Sequence, residues 1–426
     1  MEYRERIIDG LLERDMEAFG ATWIQGPKGC GKTTSAKQKA ASIVEFQDEE
    51  VRENLLLIAQ TAPRNLLIGE KPILFDEWQD APKLWGTIRK DVDDSGEKGQ
   101  YILTGSSSKK IELPHTGTLR ISRLQMYPMS LFESGESNGS VSLTQLFDNP
   151  DSFEGCKSDM TLDDVIYTIC RGGWPGALQS KTESAQLAIP RALYKQTYDI
   201  DISNVDDTKR NPIIAQELLR SYSRNICTLA ETKTIISDVN ANYDVAKTTI
   251  NEYINALRSL YIIDDIDAWC PAIRSKTAMR ASIKRNFIDP SVAVASLGLS
   301  PEYFRKDFKT LGFLFESLCI RDLKIYSSAF DGRMSYYRDR YGLEADGVLH
   351  LNDGRYALIE FKLGQNDVDE GAKHLCTIEN LVKGYNEKEK QCPLRVPDLK
   401  IVITATQYGY RRDDGVCVIP IGCLKN

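Results

Sequence analysis

Gly26-Pro27-Lys28-Gly29-Cys30-Gly31-Lys32-Thr33, followed by Thr34, decides how the first third of this chain folds. The spacing is that of a phosphate-binding loop: a glycine, four residues, then Gly-Lys-Thr. Glycines at 26, 29 and 31 allow positive φ, so backbone N–H groups can turn toward phosphate oxygens. Lys32 would reach the β- and γ-phosphates, and the Thr33 hydroxyl would hold Mg2+. Such a loop needs a strand before it and a helix after it. Ala21–Gln25 reads as a short apolar strand and residues 32–44 as a helix, whose first turn adds unpaired donors and a positive dipole end.

Outward from the loop, residues 4–17 carry Ile7, Ile8, Leu11 and Leu12 at helical spacing. Residues 55–59 and 72–75 read as buried strands, and the second ends in Asp76-Glu77. An apolar strand ending in two carboxylates after a phosphate loop is the other half of a nucleoside-triphosphatase site. Asp76 would hold a Mg2+-bound water, and Glu77 would act as general base on the attacking water. A third strand, 100–103, runs into Thr104-Gly105-Ser106, where Thr104 or Ser106 would touch the γ-phosphate or that water. In the stretch His115 to Leu124, Arg120 is the candidate arginine finger.

Composition limits the remainder. The chain has 426 residues, 42% apolar and 27% charged, with a net charge of −7. That length allows two to four domains with sizeable cores. No apolar run of 18 residues occurs and the N-terminus is charged, so neither a membrane span nor a signal peptide is expected and the location reads as cytoplasmic. Acidic balance argues against binding nucleic acid over the whole surface, though not at a local basic site. Ten cysteines without CxxC spacing, and three histidines, read as reduced thiols and argue against a zinc site. Any metal chemistry then rests on carboxylates with Mg2+ or Mn2+.

Residues 136–156, rich in Ser, Gly, Asn and Asp, read as a linker. Helical patterns at 161–169 and 183–200 flank a Gly172-Gly173-Trp174-Pro175 turn. From 212, three helices (214–225, 232–239 and 243–259) precede apolar segments at 260–263 and 266–269, the order of a winged helix-turn-helix. Its third helix would bury Ile250, Ile254 and Leu257 and expose Lys247, Thr248, Asn251 and Asn255 toward DNA. Arg274, Lys276, Arg280, Lys284 and Arg285 follow without an acidic residue and are either the best local candidates for phosphate contacts or a solvated basic face.

The last part carries a second constellation. Residues 311–325 form an amphipathic helix with Glu316 near its middle. Strands are expected at 334–338, 344–351 and 356–363, the last two joined by Asn352-Asp353-Gly354. Alternation puts Glu360 and Lys362 on one face. An Asp on one strand with Glu-x-Lys on its hairpin partner is the layout of the PD-(D/E)xK nucleases. Asp346 and Glu360 would bind Mg2+, Lys362 would activate water or offset phosphate charge, and Glu316 would complete the site. Kept without a metal, the same residues would be a salt-bridge cluster. Strands at 399–404 and 416–421 would finish the sheet.

Taken in order, the phosphate loop, Asp76-Glu77, Leu103-Thr104-Gly105-Ser106, the His-Thr-Gly…Arg stretch, Pro128-Met129-Ser130-Leu131 and the GGWP turn resemble the prokaryotic AAA+ ATPases of the archaeal-ATPase group. That group's C-terminal half, of unassigned function, combines a winged helix with a restriction-endonuclease-like domain. The resemblance implies ATP bound by residues 26–34, metal and water held by Asp76 and Glu77, and a sensor near Ser106. Leu119 stands where the family usually has a glycine before the arginine matched by Arg120.

The expected architecture is therefore α/β. It comprises an AAA+ P-loop core (1–160), a helical lid (161–210), a winged helix (211–272) and a small nuclease-like α/β domain (273–426). Three functions fit: an ATP-regulated nuclease on DNA, an ATP-switched DNA-binding protein with an inactive nuclease fold, or a signalling or assembly ATPase that binds protein. Homo-oligomerisation is compatible with each.

Overall fold

The computed structural model describes residues 3–105, 117–206, 208–271, 282–388 and 391–426. The chain divides into two compact units. One takes Met1–Pro128, Asp199–Arg210 and Asn255–Tyr261, and the other takes Met129–Tyr198, Asn211–Ile254 and Ile262–Asn426. Among the described residues no helix is long and apolar enough to cross a membrane.

The first unit is built on five parallel strands: β1 (Ala21–Gln25), β2 (Ser42–Glu45), β3 (Ile73–Asp76), β4 (Tyr101–Thr104) and β5 (Ile121–Gln125), in the order β2-β3-β4-β1-β5. A parallel sheet is covered on both faces, so its inner strands β1, β3 and β4 are buried almost along their whole length. Alternation sorts them. Trp23, Ile73, Phe75, Tyr101 and Leu103 pack with Trp78, Trp85 and Ile88 on one face. Ile24, Leu74 and Ile102 pack with Ile8, Leu12, Cys30 and Ala36 on the other. Because the side-chain period is two, Asp76 and Thr104 fall on the second face, that of the phosphate-loop helix. Inserting β4 between β1 and β3 brings the carboxyl ends of these three strands side by side, where open α/β sheets bind ligands.

Two expectations in this unit are corrected. The helix after the loop is Lys32–Lys37, not 32–44, because the Ala41 and Ser42 amides donate to the Pro72 carbonyl and draw the chain into the sheet as β2. The apolar run at 55–59 is helical, within Arg52–Thr61. Leu57 is 58% exposed there, as a helix but not a buried strand permits.

The second unit holds a seven-stranded sheet. Its strands are β7 (Gly155–Lys157), β8 (Arg333–Arg338), β9 (Glu344–His350), β10 (Tyr356–Lys362), β11 (Leu399–Thr404), β12 (Tyr408–Arg411) and β13 (Cys417–Pro420). Their order is β7-β12-β13-β11-β10-β9-β8. Hairpins join β8, β9 and β10, and the helix Val368–Lys388 crosses from β10 to its parallel neighbour β11. A two-stranded sheet pairs β6 (Val141–Ser142) with β14 (Leu424–Lys425). The segment expected as a linker at 136–156 thus supplies one strand to each sheet, its polar residues satisfied by pairing. Ser137, for example, donates from its hydroxyl to the Leu424 carbonyl at 2.7 Å.

Two sequence landmarks, Met129-Ser130-Leu131 and the Gly172-Gly173-Trp174-Pro175 turn, are scaffolding of this unit. Met129 donates from its amide to the Gly173 carbonyl at 2.6 Å, and a Cβ on Gly173 would lie 2.0 Å from the Met129 carbonyl oxygen. The Gly173 amide in turn reaches Asp289, and the Trp174 indole reaches Ser291. Asp289 is one side of a wholly buried cluster in which Arg321 contacts Asp289 and Asp322 at 2.7 Å each.

Candidate functional sites

In the phosphate loop, Gly26, Gly29 and Gly31 all have positive φ, at 153°, 75° and 106°. Gly26 is required twice over, since a Cβ there would lie 2.3 Å from the Met126 carbonyl oxygen. Lys32 is buried, its Nζ held by the carbonyls of Gly26 at 3.0 Å and Pro27 at 2.9 Å. Cys30 is buried beneath the loop, and its carbonyl accepts from the buried Arg6 guanidinium at 3.1 Å. Arg6 also reaches the Tyr127 carbonyl, so one side chain ties the loop to the segment after β5. Thr34 faces outward.

At the strand ends the expected residues converge. Oδ1 of Asp76 accepts the hydroxyls of Thr33, at 2.7 Å, and Thr104. Asp76 and Thr104 are register neighbours on β3 and β4. A threonine hydroxyl beside a carboxylate at the head of a phosphate-loop helix is the donor set that suits Mg2+ with triphosphate oxygens and water. Glu77 lies in the left-handed region at φ 53°, a conformation costing a non-glycine residue about 1–2 kcal/mol. Its neighbours hold it there. Trp78 is fully buried between Trp23 and Trp85, and Gln79 donates from its amide to the Glu77 carboxylate. Gln79 leans on Gly105, where a Cβ would come within 2.0 Å of it.

Sequence reading missed Gln79, and it also missed Asp201. The Asp201 carboxylate is 5% exposed and meets Lys28 Nζ at 2.5 Å. No motif marks Asp201, since 173 positions separate the partners and its surroundings read as a polar connection. Arg120 is placed on Asp93 at 2.6 Å, in a surface pair that holds the Asp93 carboxyl below the usual carboxylate range. Leu119 adopts φ 68° without being glycine and stands 73% exposed. Ser106 lies outside the described residues.

In the second unit, Asp346 is on β9 and Glu360 and Lys362 are on β10, as expected. The Phe361 amide donates to Asp346 Oδ2 at 3.1 Å. Lys362 Nζ meets Glu360 Oε2 at 2.8 Å, and His374 stands 3.7 Å from the other oxygen. Glu316 is buried on the helix Phe308–Ser328, yet its partner is Lys284, at 2.6 Å. Lys284 Nζ also reaches the Asp346 carbonyl at 3.1 Å and Glu344 at 3.4 Å. Burial opposes its charge, but Glu316, Asp346 and Glu344 hold the ammonium above the usual lysine range. Burial likewise pushes Glu316 and Glu360 up to about 8. Among the described residues no group of three or more His, Cys, Asp or Glu is placed to hold a metal ion. Of the three carboxylates expected there, Glu316 is engaged by Lys284, Glu360 by Lys362 and Asp346 by the Phe361 amide.

The basic stretch is corrected in the same way. Lys284 and Arg285 point inward, at 1% and 2% exposure. Arg285 binds the Ala230 carbonyl, the Tyr222 hydroxyl and the Thr232 hydroxyl. Neither offers a phosphate contact, and Arg274, Lys276 and Arg280 lie outside the described residues. The helix Lys247–Ser259 does bury Ile250, Ile254 and Leu257, leaving Lys247, Thr248 and Asn255 exposed and Asn251 half-buried.

Residues 18–134 match the AAA domain family. Residues 162–303 and 311–424 match two families described as domains of unknown function, DUF8612 and DUF4143. No curated protein matches the sequence. Among solved structures, the chain is similar to a Walker-type ATPase of Pyrococcus abyssi, at 13% identity and TM-score 0.43, over 69% of this chain and 96% of that one. It is also similar to the replication initiator DnaA bound to AMPPCP and single-stranded DNA, at 13% identity and TM-score 0.27, over 59% and 86%. At those scores neither likeness carries functional weight. The domain match and the loop geometry make the N-terminal third an AAA-type ATP-binding domain.

Proposed function

We propose that this protein hydrolyses ATP with Mg2+ and uses the nucleotide state to control a DNA-binding C-terminal unit. The observation that carries the first part is the single Asp76 oxygen shared by Thr33 and Thr104 beside the glycine cradle. Bound there, Mg2+ would neutralise phosphate charge. The chain's own residues do the rest. Backbone amides of 26–34 seat the phosphates, and Lys32 leaves its two carbonyls to pair with phosphate oxygens. Thr33 and Asp76 supply metal and water ligands, and Glu77, steered by Gln79, draws a proton from the attacking water. Thr104 reads the strand end, the place expected for Ser106 or itself.

Support for DNA comes from the first turns of the helix Lys247–Ser259, which lie in the second unit and leave Lys247 and Thr248 outward, types that contact phosphates and base edges. The reading treats this segment as a winged helix and the sheet-bearing remainder as a nuclease-like fold.

The test combines ATP turnover with a gel shift. Lys32→Ala should abolish ATP binding, and Glu77→Gln should bind without turnover. DNA should shift in a nucleotide- and salt-dependent way, weakened by Lys247→Glu. Full turnover by Glu77→Gln removes it as base. Absence of any shift, with ATP changing only oligomeric state, favours an assembly ATPase that binds protein.

A further inference from the structure

A metal nuclease centre works because carboxylate oxygens are left over for the ion after the fold has used what it needs. In the second unit each carboxylate is already engaged through one oxygen. One oxygen of Asp346 takes the Phe361 amide, one of Glu360 takes Lys362, and one of Glu316 takes Lys284. Lys284 is set apart from Lys362 by its origin. It arrives on no element of the nuclease hairpin. It is placed by two backbone hydrogen bonds with Ile266, each 2.9 Å, which fix the direction of its side chain. Its side chain is 2% exposed; it donates to Glu316 and the Asp346 carbonyl and forms a looser ion pair with Glu344 at 3.4 Å. An ammonium carries three donors and a positive charge, so it commits Glu316, the carboxylate expected to complete a metal site, to an ion pair.

We infer that Lys284 is the resident cation of this unit, standing among Glu316, Glu344 and the Asp346 carbonyl in place of a divalent metal, so that the nuclease-like layout is retained without phosphodiester cleavage. Burying an ammonium is tolerable only with carboxylates around it, and burying those carboxylates is tolerable only with a cation among them. Each makes the other necessary, and Glu316 is held by the ammonium instead of by Mg2+. This inference goes beyond the ATPase reading and does not depend on it.

The test is a manganese titration of the full chain carrying Thr33→Ala and lacking nucleotide, which removes the ATP-site contribution. Free Mn2+ is followed by its paramagnetic resonance signal, with Mn2+-dependent cleavage of mixed single- and double-stranded DNA measured alongside. The expected result is no bound ion that responds to Asp346→Asn or Glu360→Gln, intact DNA, and a lower melting temperature for Lys284→Met. Binding that survives both carboxylate substitutions lies elsewhere and agrees with a closed centre. One Mn2+ per chain lost on Asp346→Asn, or cleavage lost with it, overturns the inference, as does a Lys284→Met protein that melts like the parent. Should Lys284→Met fail to fold, the titration still decides, because it is made with Lys284 in place. ATP turnover of the protein with Thr33 intact is scored separately, so failure of the ATPase reading cannot be mistaken for failure here.

Discussion

The phosphate loop and the C-terminal carboxylate centre both gather charged side chains between strands and a helix, and they solve the charge problem in opposite ways. In the loop the cation, Lys32, rests on neutral carbonyls, and the carboxylate, Asp76, rests on hydroxyls. Among the described residues no carboxylate is ion-paired with Lys32, so phosphate charge can be accommodated at it without breaking an ion pair. In the second unit Lys284 and Lys362 meet Glu316 and Glu360 directly. Lys32 and Asp76 are left uncompensated by one another, with Lys28 of the loop already paired on Asp201, whereas the closed centre compensates its charges internally.

That contrast can be broken most sharply at Lys32. Lys32→Ala should reduce ATP binding and turnover by at least about a hundredfold, measured by nucleotide titration and phosphate release, while the second unit's melting is unchanged. Glu77→Gln should keep ATP affinity and lower turnover by about 10²–10⁴-fold. In the closed centre the effect is on stability instead. Lys284→Met should cost about 3–5 kcal/mol in denaturant unfolding, the range for removing one partner of a buried pair, with ATP affinity retained.

A finer distinction comes from pH. Burial raises Glu316 and Glu360 to about 8, against about 4.3 in an unfolded chain. Between those values the folded unit binds more protons than the unfolded chain. This stabilisation is therefore complete below about pH 4 and is lost as pH rises through about 8. Melting of the second unit should drop by about 5 °C or more between about pH 5 and pH 8 in a calorimetric scan, and Glu316→Gln should flatten the slope. The smallest effect is expected at Asp201. Releasing Lys28 from it by Asp201→Asn should tighten ATP binding by about fivefold, the equivalent of roughly 1 kcal/mol. Weaker binding would show instead that the pair shapes the loop.

Much of the first unit was legible because its function depends on backbone geometry. Gly26, Gly29 and Gly31 are needed wherever the loop turns, and an apolar strand ending in Asp76-Glu77 has few other uses. Element type was less secure where apolar residues ran together, as at 55–59, since a short run satisfies a helix or a strand equally. The strand Ser42–Glu45 escaped notice because an edge strand need not be apolar. In the second unit the strands around Asn352-Asp353-Gly354 were plain from alternation and the turn. What surrounds Glu316 was not, because Lys284 lies 32 positions away in a stretch whose composition reads as a solvated basic face.

The amino-acid order alone determined the phosphate cradle, the carboxylates that answer it and the hairpin bearing Asp346, Glu360 and Lys362, since each is a local pattern with its own backbone demand. Only the tertiary structure decided which charges meet. It turned Lys284 and Arg285 inward, set Asp201 against Lys28, and made a motif-bearing turn into scaffolding. Pairing of buried charges depends on distance through space and on the cost of leaving either one alone, and neither quantity is written in sequence separation.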